Sequence, residues 1–165
     1  RGLEGRSGCG LCGTESLQAA LRPVSRVSST RRVHAEAIRA ALHALAAQQP
    51  LNALSGGVHA AGFAYERGVL VREDVGRHNA LDKLIGAMAR EATAPDAGFV
   101  VVTSRASYEI VHKAATAGIG LVVAISAPTD LAIRTAEAGG VTLAAFARGD
   151  SLNVYAHPQR IASGA

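Results

Sequence analysis

The sequence is poor in the residue types that define several protein classes. Its 165 residues include two Cys, one Met, three Tyr, three Phe and no Trp. Two cysteines cannot stabilise a fold of this size through disulfide bonds, so we expect them to act chemically in a reducing compartment, the cytoplasm. So few aromatic residues disfavour a base-stacking groove for nucleic acid. No apolar run approaches the roughly 20 residues of a membrane-spanning helix, so we expect no membrane partner.

Charged residues are also few, and arginine supplies almost all of the positive charge. The chain has 17 Lys and Arg against 13 Asp and Glu, a net charge of +4, and Lys83 and Lys113 are the two lysines. Hydrophobic residues make up 48%, which excludes a disordered chain and allows one domain with a real core. Because a guanidinium group matches phosphate oxygens, small anionic ligands are the favoured partners, although codon bias explains the arginines equally well.

The chain divides into a glycine-rich start and one longer domain. Residues 1–22 include five glycines between Gly2 and Gly13, and they predict a flexible Cys-x-x-Cys loop followed by a short helix near residues 15–21. Residues 23–165 are interpreted as a single α/β domain that binds a cofactor. The sequence starts without Met, which favours a truncated or processed chain.

The hydrophobic pattern of the domain predicts alternating strands and helices. Hydroxyl residues at positions 28–30 are candidate N-caps of a helix that ends before Pro50, and residues 59–74 predict a β-hairpin with Gly68 in its turn. A helix is expected at residues 77–91, followed by strands at 99–103, 121–126 and 142–146 and by intervening helices at 106–117 and 129–138. This order predicts a three-layer α/β fold with a mostly parallel sheet and an antiparallel hairpin at one side.

Polar residues follow each predicted strand, at the point where open α/β sheets bind ligands. Arg77, Arg105 and Arg148 lie in three of these segments and are expected to meet at one edge, with helix N-termini behind them. Any single segment also fits an ordinary polar loop or a helix cap. Taken together, the segments predict a phosphate or nucleotide site formed by Arg77, His78, Ser104, Arg105, Ser126 and Thr129, with Phe146, Ala147, Arg148, Gly149, Asp150 and Ser151.

Cys9 and Cys12 form a Cys-x-x-Cys pair. Such a pair can be a redox-active dithiol, half of a zinc site, or a relay for sulfane sulfur. The sequence has no second pair, which excludes a four-thiolate zinc site within one chain. In a sulfur relay, a thiolate attacks the persulfide of a donor, holds the outer sulfur and passes it to an acceptor.

His59 raises the alternative of a zinc-dependent hydrolase. A zinc deaminase has His-x-Glu at this point and its cysteine pair later in the chain. Here position 61 is Ala, so the carboxylate that moves protons is missing, and the cysteine pair precedes the histidine. Water activation at zinc is therefore disfavoured, and we expect no tightly held metal. His59 and His78 remain candidate ligand contacts.

Several motifs in combination are similar to those of one known family. They are GCGLCG, SGGVHAAGF, EDVGRHNALDKLIG, TSRASYEIVHKAATAGI and AISAPTDLAIRTAEAGGVTLAAFARGDSLNVY. From Ser7 to about Ile161, the chain resembles the formate dehydrogenase accessory sulfurtransferase family (FdhD). Members of this family carry a further N-terminal portion before the cysteine loop, and this sequence does not include it.

The resemblance implies a cytidine deaminase-like fold, a homodimer and a sulfurtransferase that works through a cysteine persulfide. Sulfur would come from a cysteine desulfurase. It would pass to the molybdenum (or tungsten) of a bis-molybdopterin guanine dinucleotide cofactor, which formate dehydrogenase needs for activity. The alternatives are a nucleotide-binding module with redox-sensitive thiols and a zinc-dependent, deaminase-like hydrolase.

The resemblance also implies roles for individual residues. Cys9 would carry the persulfide, Cys12 would be its partner, and residues 146–151 would contact the cofactor. We add the hypothesis that the arginines after the strands bind its phosphates and that Ser104, Ser126 and Thr129 donate hydrogen bonds to phosphate or base. In the same hypothesis, His59 and His78 line the guanine pockets.

Overall fold

The computed structural model describes residues 22–149 and 151–162. Within these residues the helices are α1 (Ala35–Ala47), α2 (Pro50–Ser55), α3 (Arg77–Arg90), α4 (Tyr108–Thr116) and α5 (Asp130–Gly139). The strands are β1 (Val33–His34), β2 (His59–Tyr65), β3 (Gly68–Asp74), β4 (Phe99–Val102), β5 (Leu121–Ala124), β6 (Thr142–Arg148), β7 (Ser151–Ala156) and β8 (Ile161–Ala162). None of these helices is long and apolar enough to cross a lipid bilayer.

The main sheet has the strand order β3-β2-β4-β5-β6-β7. Strands β4, β5 and β6 are parallel, whereas β2 is antiparallel to both of its neighbours and β7 is antiparallel to β6. As a result, β3, β4, β5 and β6 all end at the edge where β2 and β7 begin. We call this edge the rim, and it comprises residues 74–78, 103–107, 125–129 and 146–149 together with His59 and Ser151.

Apolar side chains cover both faces of the sheet, which gives the molecule three layers. On one face, Ile38 and Leu45 of α1 pack against alternate residues of β2, β4, β5 and β6. Helices α3, α4 and α5 pack on the other face. Strand β4 is buried throughout, because Val101 faces the α1 layer while Val100 and Val102 face the opposite layer. The predicted α/β class is therefore confirmed.

The β2–β3 hairpin and α3 follow the sequence pattern closely. Tyr65 pairs with Gly68, whose φ of +117° is a conformation that glycine adopts without steric strain, so the turn lies where it was predicted. Helix α3 begins at Arg77 and buries Leu81 and Leu84. The strands and helices between residues 99 and 146 occur in the predicted order, with ends that differ by one or two residues.

The prediction that a helix begins at residues 28–30 is wrong. Helix α1 begins at Ala35, and its N-cap, His34, makes no side-chain capping hydrogen bond. Residues 22–32 have no regular secondary structure, and we call them the strap. The amide of Val27 in the strap donates to the carbonyl of Gly139 (2.8 Å). Packing against a distant part of the chain therefore outweighs the local capping signal.

The end of α1 and the last predicted strand also need correction. Pro50 does not merely end a helix, because it begins the short helix α2 after α1 has finished at Ala47. The segment predicted as a loop after β6 is a hairpin, in which Arg148 pairs with Ser151. Strand β7 is thus an additional antiparallel strand, and the sheet is mixed. A register shift between Ala145 and Arg148 breaks the alternation that would have indicated this hairpin.

Candidate functional site

Hydrogen bonds connect the beginning of β2 to the ends of β3 and β4 at the rim. His59, the first residue of β2, is opposite Asp74, the last residue of β3. The amide of Ala60 donates to the hydroxyl oxygen of Thr103 (2.9 Å), and the amide of Thr103 donates back to the carbonyl of Ala60 (3.0 Å). The beginning of β2 and the ends of β3 and β4 therefore form one fixed surface.

The loops after β4 and β5 are bonded to each other and to β6. The amide of Ala106 donates to the carbonyl of Ala127 (3.2 Å), and the amide of Thr129 donates to the carbonyl of Ala106 (3.0 Å). Further along the rim, the amide of Phe146 donates to the carbonyl of Ser126 (3.3 Å). The segments predicted to contact a ligand after β4, β5 and β6 thus lie side by side.

Three helices begin at the rim, and two of them have no side-chain cap. The N-caps of α3 and α4 are Gly76 and Ser107, and neither makes a capping hydrogen bond through a side chain. Thr129 caps α5, because its hydroxyl oxygen accepts from the amide of Ala132 (3.1 Å). The first N–H groups of a helix lack partners within the helix and carry partial positive charge. Helices α3 and α4 therefore favour an anion at the rim, while the Thr129 hydroxyl has a structural partner.

His78 is the centre of a polar cluster between α3 and α4. Its Nε2 lies 2.8 Å from Oε2 of Glu109 and 3.2 Å from Oγ of Ser107. Both partners contact the same ring nitrogen, so the carboxylate does not orient the imidazole through its other nitrogen. Burial lowers the pKa of His78 to about 4, and the charges of Arg77 and His59 act in the same direction. Burial also raises the pKa of Glu109 above its usual value.

The predicted arginines share the rim but are spread along it. Arg77 follows β3 and Arg148 ends β6, and four strand spacings between these strands correspond to about 19 Å. The Nε atom of Arg77 is buried and has no hydrogen-bond partner among the described residues, whereas Arg105 and Arg148 are exposed. Buried polar atoms normally have partners. This arrangement suits an extended ligand with separated anionic groups better than a single phosphate.

The segment at the end of β6 presents a strained aromatic residue. Phe146 has a φ of +53° and is 41% exposed, although large side chains rarely adopt this backbone conformation. Ala147 is buried toward α1, so Phe146 and Arg148 point away from the core. Gly149 turns the chain with a φ of +54°, and Asp150 lies outside the described residues. The exposed ring and the guanidinium group thus both lie at the rim, and their predicted contact with a cofactor stays a prediction.

Two further rim residues have structural partners. Asp74 accepts from the amide of Gly76 (2.9 Å) and pairs with Lys83, whose hydrogen bond is the main cause that lowers the pKa of Asp74 to about 2. Ser104 is buried, and its hydroxyl donates to the carbonyl of Arg105 (3.1 Å). The Ser104 hydroxyl hydrogen is therefore engaged, and its predicted contact with a ligand stays a prediction.

Cys9 and Cys12 lie outside the described residues, but the strap that follows them begins at the rim. The amide of Arg22 donates to the hydroxyl of Tyr108 (2.9 Å), and Tyr108 is the first residue of α4. Ten residues separate Cys12 from Arg22 in the sequence (22 − 12 = 10), and a fully extended chain of this length spans at most about 36 Å. The covalent link is therefore long enough for the cysteines to reach the rim.

Three residues of this region were not predicted as site residues from the sequence: Ser107, Tyr108 and Glu109. They are consecutive at the start of a helix, where an acidic residue in the first turn is ordinarily interpreted as a partner of the helix dipole. Their contacts are with His78 and Arg22, which belong to other elements, so no local pattern could reveal them.

A metal centre has little support from the part of the chain that the structure describes. No three His, Cys, Asp or Glu side chains in that part are placed to bind one metal ion. His59 is half-buried at the start of β2, and Ala61 is buried within the same strand. The cysteines of the predicted zinc alternative lie outside this part, so that alternative stays open.

Comparison with known proteins identifies the family. A family model described as the FdhD/NarQ family matches residues 2–162. The chain belongs to the FdhD/NarQ family. The sulfur carrier protein FdhD of Xanthomonas campestris pv. campestris (strain B100) is 57% identical over 166 residues, which cover 99% of this chain and 59% of that protein. The sulfur carrier protein FdhD of Bordetella bronchiseptica (strain RB50) is 50% identical over 165 residues, with coverages of 99% and 60%.

A solved structure shares the fold of this FdhD/NarQ chain. The protein is described as a formate dehydrogenase accessory protein of Desulfotalea psychrophila, and its crystal structure matches with a TM-score of 0.78 at 27% identity. The match covers 84% of this chain and 60% of that one. The chain thus spans about three fifths of the length of the relatives and the structure that it matches.

Proposed function

We propose that this chain carries sulfur for the maturation of formate dehydrogenase. It receives sulfur from a cysteine desulfurase as a persulfide on Cys9. It then passes the sulfur to the molybdenum (or tungsten) of a bis-molybdopterin guanine dinucleotide cofactor that is bound along the rim as a substrate. The names of its relatives, sulfur carrier proteins, support sulfur transfer as the activity.

The observation that carries the proposal is the position of Arg22. Its backbone is held by Tyr108 at the start of α4, next to the cluster of His78, Ser107 and Glu109. The strap therefore begins against the first residue of α4, a helix whose N-terminus lies at the rim.

The cysteine chemistry needs a mobile thiolate and two exchange steps. The thiolate of Cys9 attacks the outer sulfur of the persulfide on the desulfurase, the donor S–S bond breaks, and the donor leaves as a thiolate. Cys9 then holds the outer sulfur as a persulfide, with Cys12 as its partner. In the second step the S–S bond breaks, the outer sulfur takes two electrons from the acceptor metal as it binds there, and Cys9 leaves as a thiolate.

The rim residues fit a ligand with two guanine dinucleotide arms. The unpartnered Nε of Arg77 and the uncapped starts of α3 and α4 favour phosphate oxygens at one end. Arg148 and the exposed ring of Phe146 lie near the other end. The separation of about 19 Å along the sheet matches anionic groups on different arms better than adjacent phosphates. His59 and His78 are proposed to line guanine pockets, because both lie at the rim and imidazole nitrogens can form hydrogen bonds with a base.

We further propose that the fold is of the cytidine deaminase-like class, that the protein is a homodimer and that it contacts formate dehydrogenase directly. The mixed sheet, with a hairpin beside three parallel strands, supports the α/β class on which the first of these depends.

The proposal is tested by measuring first the loading of sulfur onto the protein and then its transfer to the acceptor. After incubation with a cysteine desulfurase and cysteine, mass spectrometry is expected to find one extra sulfur atom per chain, located on Cys9. Cys9→Ala is expected to abolish this gain. The loaded protein is then given the cofactor and formate dehydrogenase, and activation of the enzyme is measured. A Cys9→Ala protein that loads and forwards sulfur like its parent contradicts the proposal.

A charge-matched pair of variants tests the rim in the same assay. Arg105→Ala with Arg148→Ala is expected to load sulfur normally but to activate the enzyme at least about tenfold more slowly, because charge-assisted contacts to phosphate are lost. The control, Arg67→Ala with Arg90→Ala, removes the same charge at the opposite edge and is expected to match the parent. Zinc bound at one atom per chain, with no sulfur loading, would instead favour the hydrolase.

A further inference from the structure

Asp74 holds the turn that connects β3 to α3. Its Oδ1 accepts from the amide of Gly76 (2.9 Å), which is the N-cap of α3, and from the side-chain amide of Asn79 (3.3 Å) in the first turn of the helix. Its Oδ2 pairs with the ammonium group of Lys83, and the same ammonium group donates to the carbonyl of Glu73 (3.2 Å). One carboxylate therefore joins the end of the strand to the first two turns of the helix.

Apolar packing does little to hold this turn. Val75, its central residue, is 75% exposed, and the buried residues of α3 begin only at the fourth residue of the helix. A Cβ atom added at Gly76 would stand 3.2 Å from Nδ2 of Asn79, a side chain that Asp74 itself binds. The hydrogen bond with Lys83 is the main cause that lowers the pKa of Asp74 to about 2, so the carboxylate is charged at neutral pH. Polar contacts of one charged side chain thus fix the turn.

The first turn of α3 carries groups that the proposed function assigns to phosphate. Gly76 has no side chain to cap the helix, so the first N–H groups lack partners within it. Arg77 follows directly, and its Nε is buried without a partner among the described residues. Hydrogen bonds between a guanidinium group and phosphate are directional. The helix N–H groups and the guanidinium group therefore bind one anion together only if the start of the helix stays fixed.

We propose that Asp74 is a positioning residue for anion binding at the rim, because the Asp74–Lys83 pair fixes the start of α3, where Arg77 and free helix N–H groups meet the ligand. This role rests on the proposed function. Asp74 acts through the turn and does not touch the ligand. Its negative charge alone would weaken the binding of an anion, whereas its hydrogen bonds strengthen that binding. The two effects have opposite signs, so one substitution separates them.

The matched variants are Asp74→Ala and Asp82→Ala. Each removes one aspartate that pairs with a lysine, which is Lys83 for Asp74 and Lys113 for Asp82. Asp82 is an exposed residue of α3 whose partner lies on α4, so its loss leaves the hydrogen bonds of the turn in place. Loss of one hydrogen bond corresponds to about a fivefold faster hydrogen exchange of the Gly76 amide in Asp74→Ala, with no change in Asp82→Ala.

The probe of the rim is guanosine diphosphate (GDP), which carries the guanine and the phosphates of one cofactor arm. Calorimetry measures its Kd for the parent and for both variants. Asp74→Ala is expected to bind GDP at least about fivefold more weakly than the parent, because the phosphate contacts lose their fixed geometry. Asp82→Ala is expected to bind GDP like the parent or slightly more tightly, because it removes a negative charge and leaves the turn intact. Both variants are expected to load sulfur on Cys9 at the parent rate.

A second pair of variants keeps the test decisive if Asp74→Ala folds poorly. Lys83→Met breaks the ion pair and leaves the hydrogen bond of Asp74 to Gly76, whereas Lys113→Met removes the same charge from α4. Lys83→Met is expected to weaken GDP binding several-fold more than Lys113→Met. Lys83→Arg is expected to bind GDP like the parent, because it keeps a positive charge beside Asp74. Equal weakening by the two methionine variants overturns the role of the Asp74–Lys83 pair.

The remaining outcomes separate this role from the proposed function. Unchanged hydrogen exchange at Gly76 shows that Asp74 does not hold the turn and overturns the role. GDP binding by Asp74→Ala that is as tight as in the parent, or tighter, also overturns the role and leaves the proposed function standing. If the parent itself binds no GDP, the phosphate site of the proposed function fails together with the role of Asp74, and mass spectrometry still decides whether Cys9 carries sulfur.

Discussion

At the scale of single residues, burial sets the chemistry of the rim as much as residue type does. Burial lowers the pKa of His78 to about 4 and raises the pKa of Glu109. Arg77 has a buried Nε without a partner among the described residues. The site thus combines a neutral imidazole with a guanidinium nitrogen that can donate to an anionic ligand.

The neutral state of His78 gives a pH-dependent prediction. Its pKa in the folded protein is about 4, below the usual 6.5, so the unfolded chain binds a proton first as the pH falls. Stability contributed by neutral His78 is therefore present above pH 6.5 and is lost as the pH falls from 6.5 toward 4. NMR titration of the imidazole, assigned with His78→Gln, is expected to show a midpoint near 4. A midpoint at or above 6.5 would mean that the negative charge of Glu109 outweighs burial.

Some of these residues could be predicted from the sequence, and others could not. Arg77 and His78 were predicted because they lie three and four residues after the end of β3, and strand ends can be located from hydrophobic runs. The contact of His78 with Glu109 joins two helices, so it depends on how those helices pack. The strained backbone of Phe146 arises from the register shift in the hairpin, and no residue pattern indicates it.

At the scale of elements, the local sequence pattern predicted a strand or helix correctly where that element packs against its neighbour in the sequence. The β2–β3 hairpin has a glycine turn, and α3 has a regular apolar stripe, and both were predicted correctly. The strap and β7 were missed because they are held by distant residues. Gly139 holds the strap through the amide of Val27, and β7 pairs with β6 across an irregular ladder.

Two glycines with opposite surroundings, one crowded and one open, provide a matched pair of stability predictions. A Cβ atom at Gly98, just before β4, would stand 2.0 Å from the carbonyl oxygen of Ala64, and backbone cannot move aside as a side chain can. Gly98→Ala is expected to lower the free energy of unfolding by about 3 kcal/mol. Gly86 lies within α3 with open space around it, so Gly86→Ala is expected to raise the free energy by about 1 kcal/mol. Urea unfolding measures both, and equal stability of the two variants contradicts the close approach at Gly98.

At the scale of the whole molecule, the sheet brings together groups that are far apart in sequence. Strands β3, β4, β5 and β6 end at one edge, as the alternation of strands and helices in the sequence predicts. The strap begins against the first residue of α4, and this could not be predicted, because it depends on the hydroxyl of Tyr108 reaching Arg22. Sulfur transfer at the rim requires both features at once.

Disulfide trapping measures directly whether the thiol meets this edge. With Cys12→Ser to remove the competing thiol, Arg105→Cys places a partner at the rim and Glu66→Cys places one in the β2–β3 turn at the opposite edge, both at exposed positions. Under mild oxidation, Cys9 is expected to form a disulfide with the thiol at position 105 at least about tenfold faster than with the thiol at position 66. Equal rates, or faster trapping at position 66, would contradict transfer at the rim.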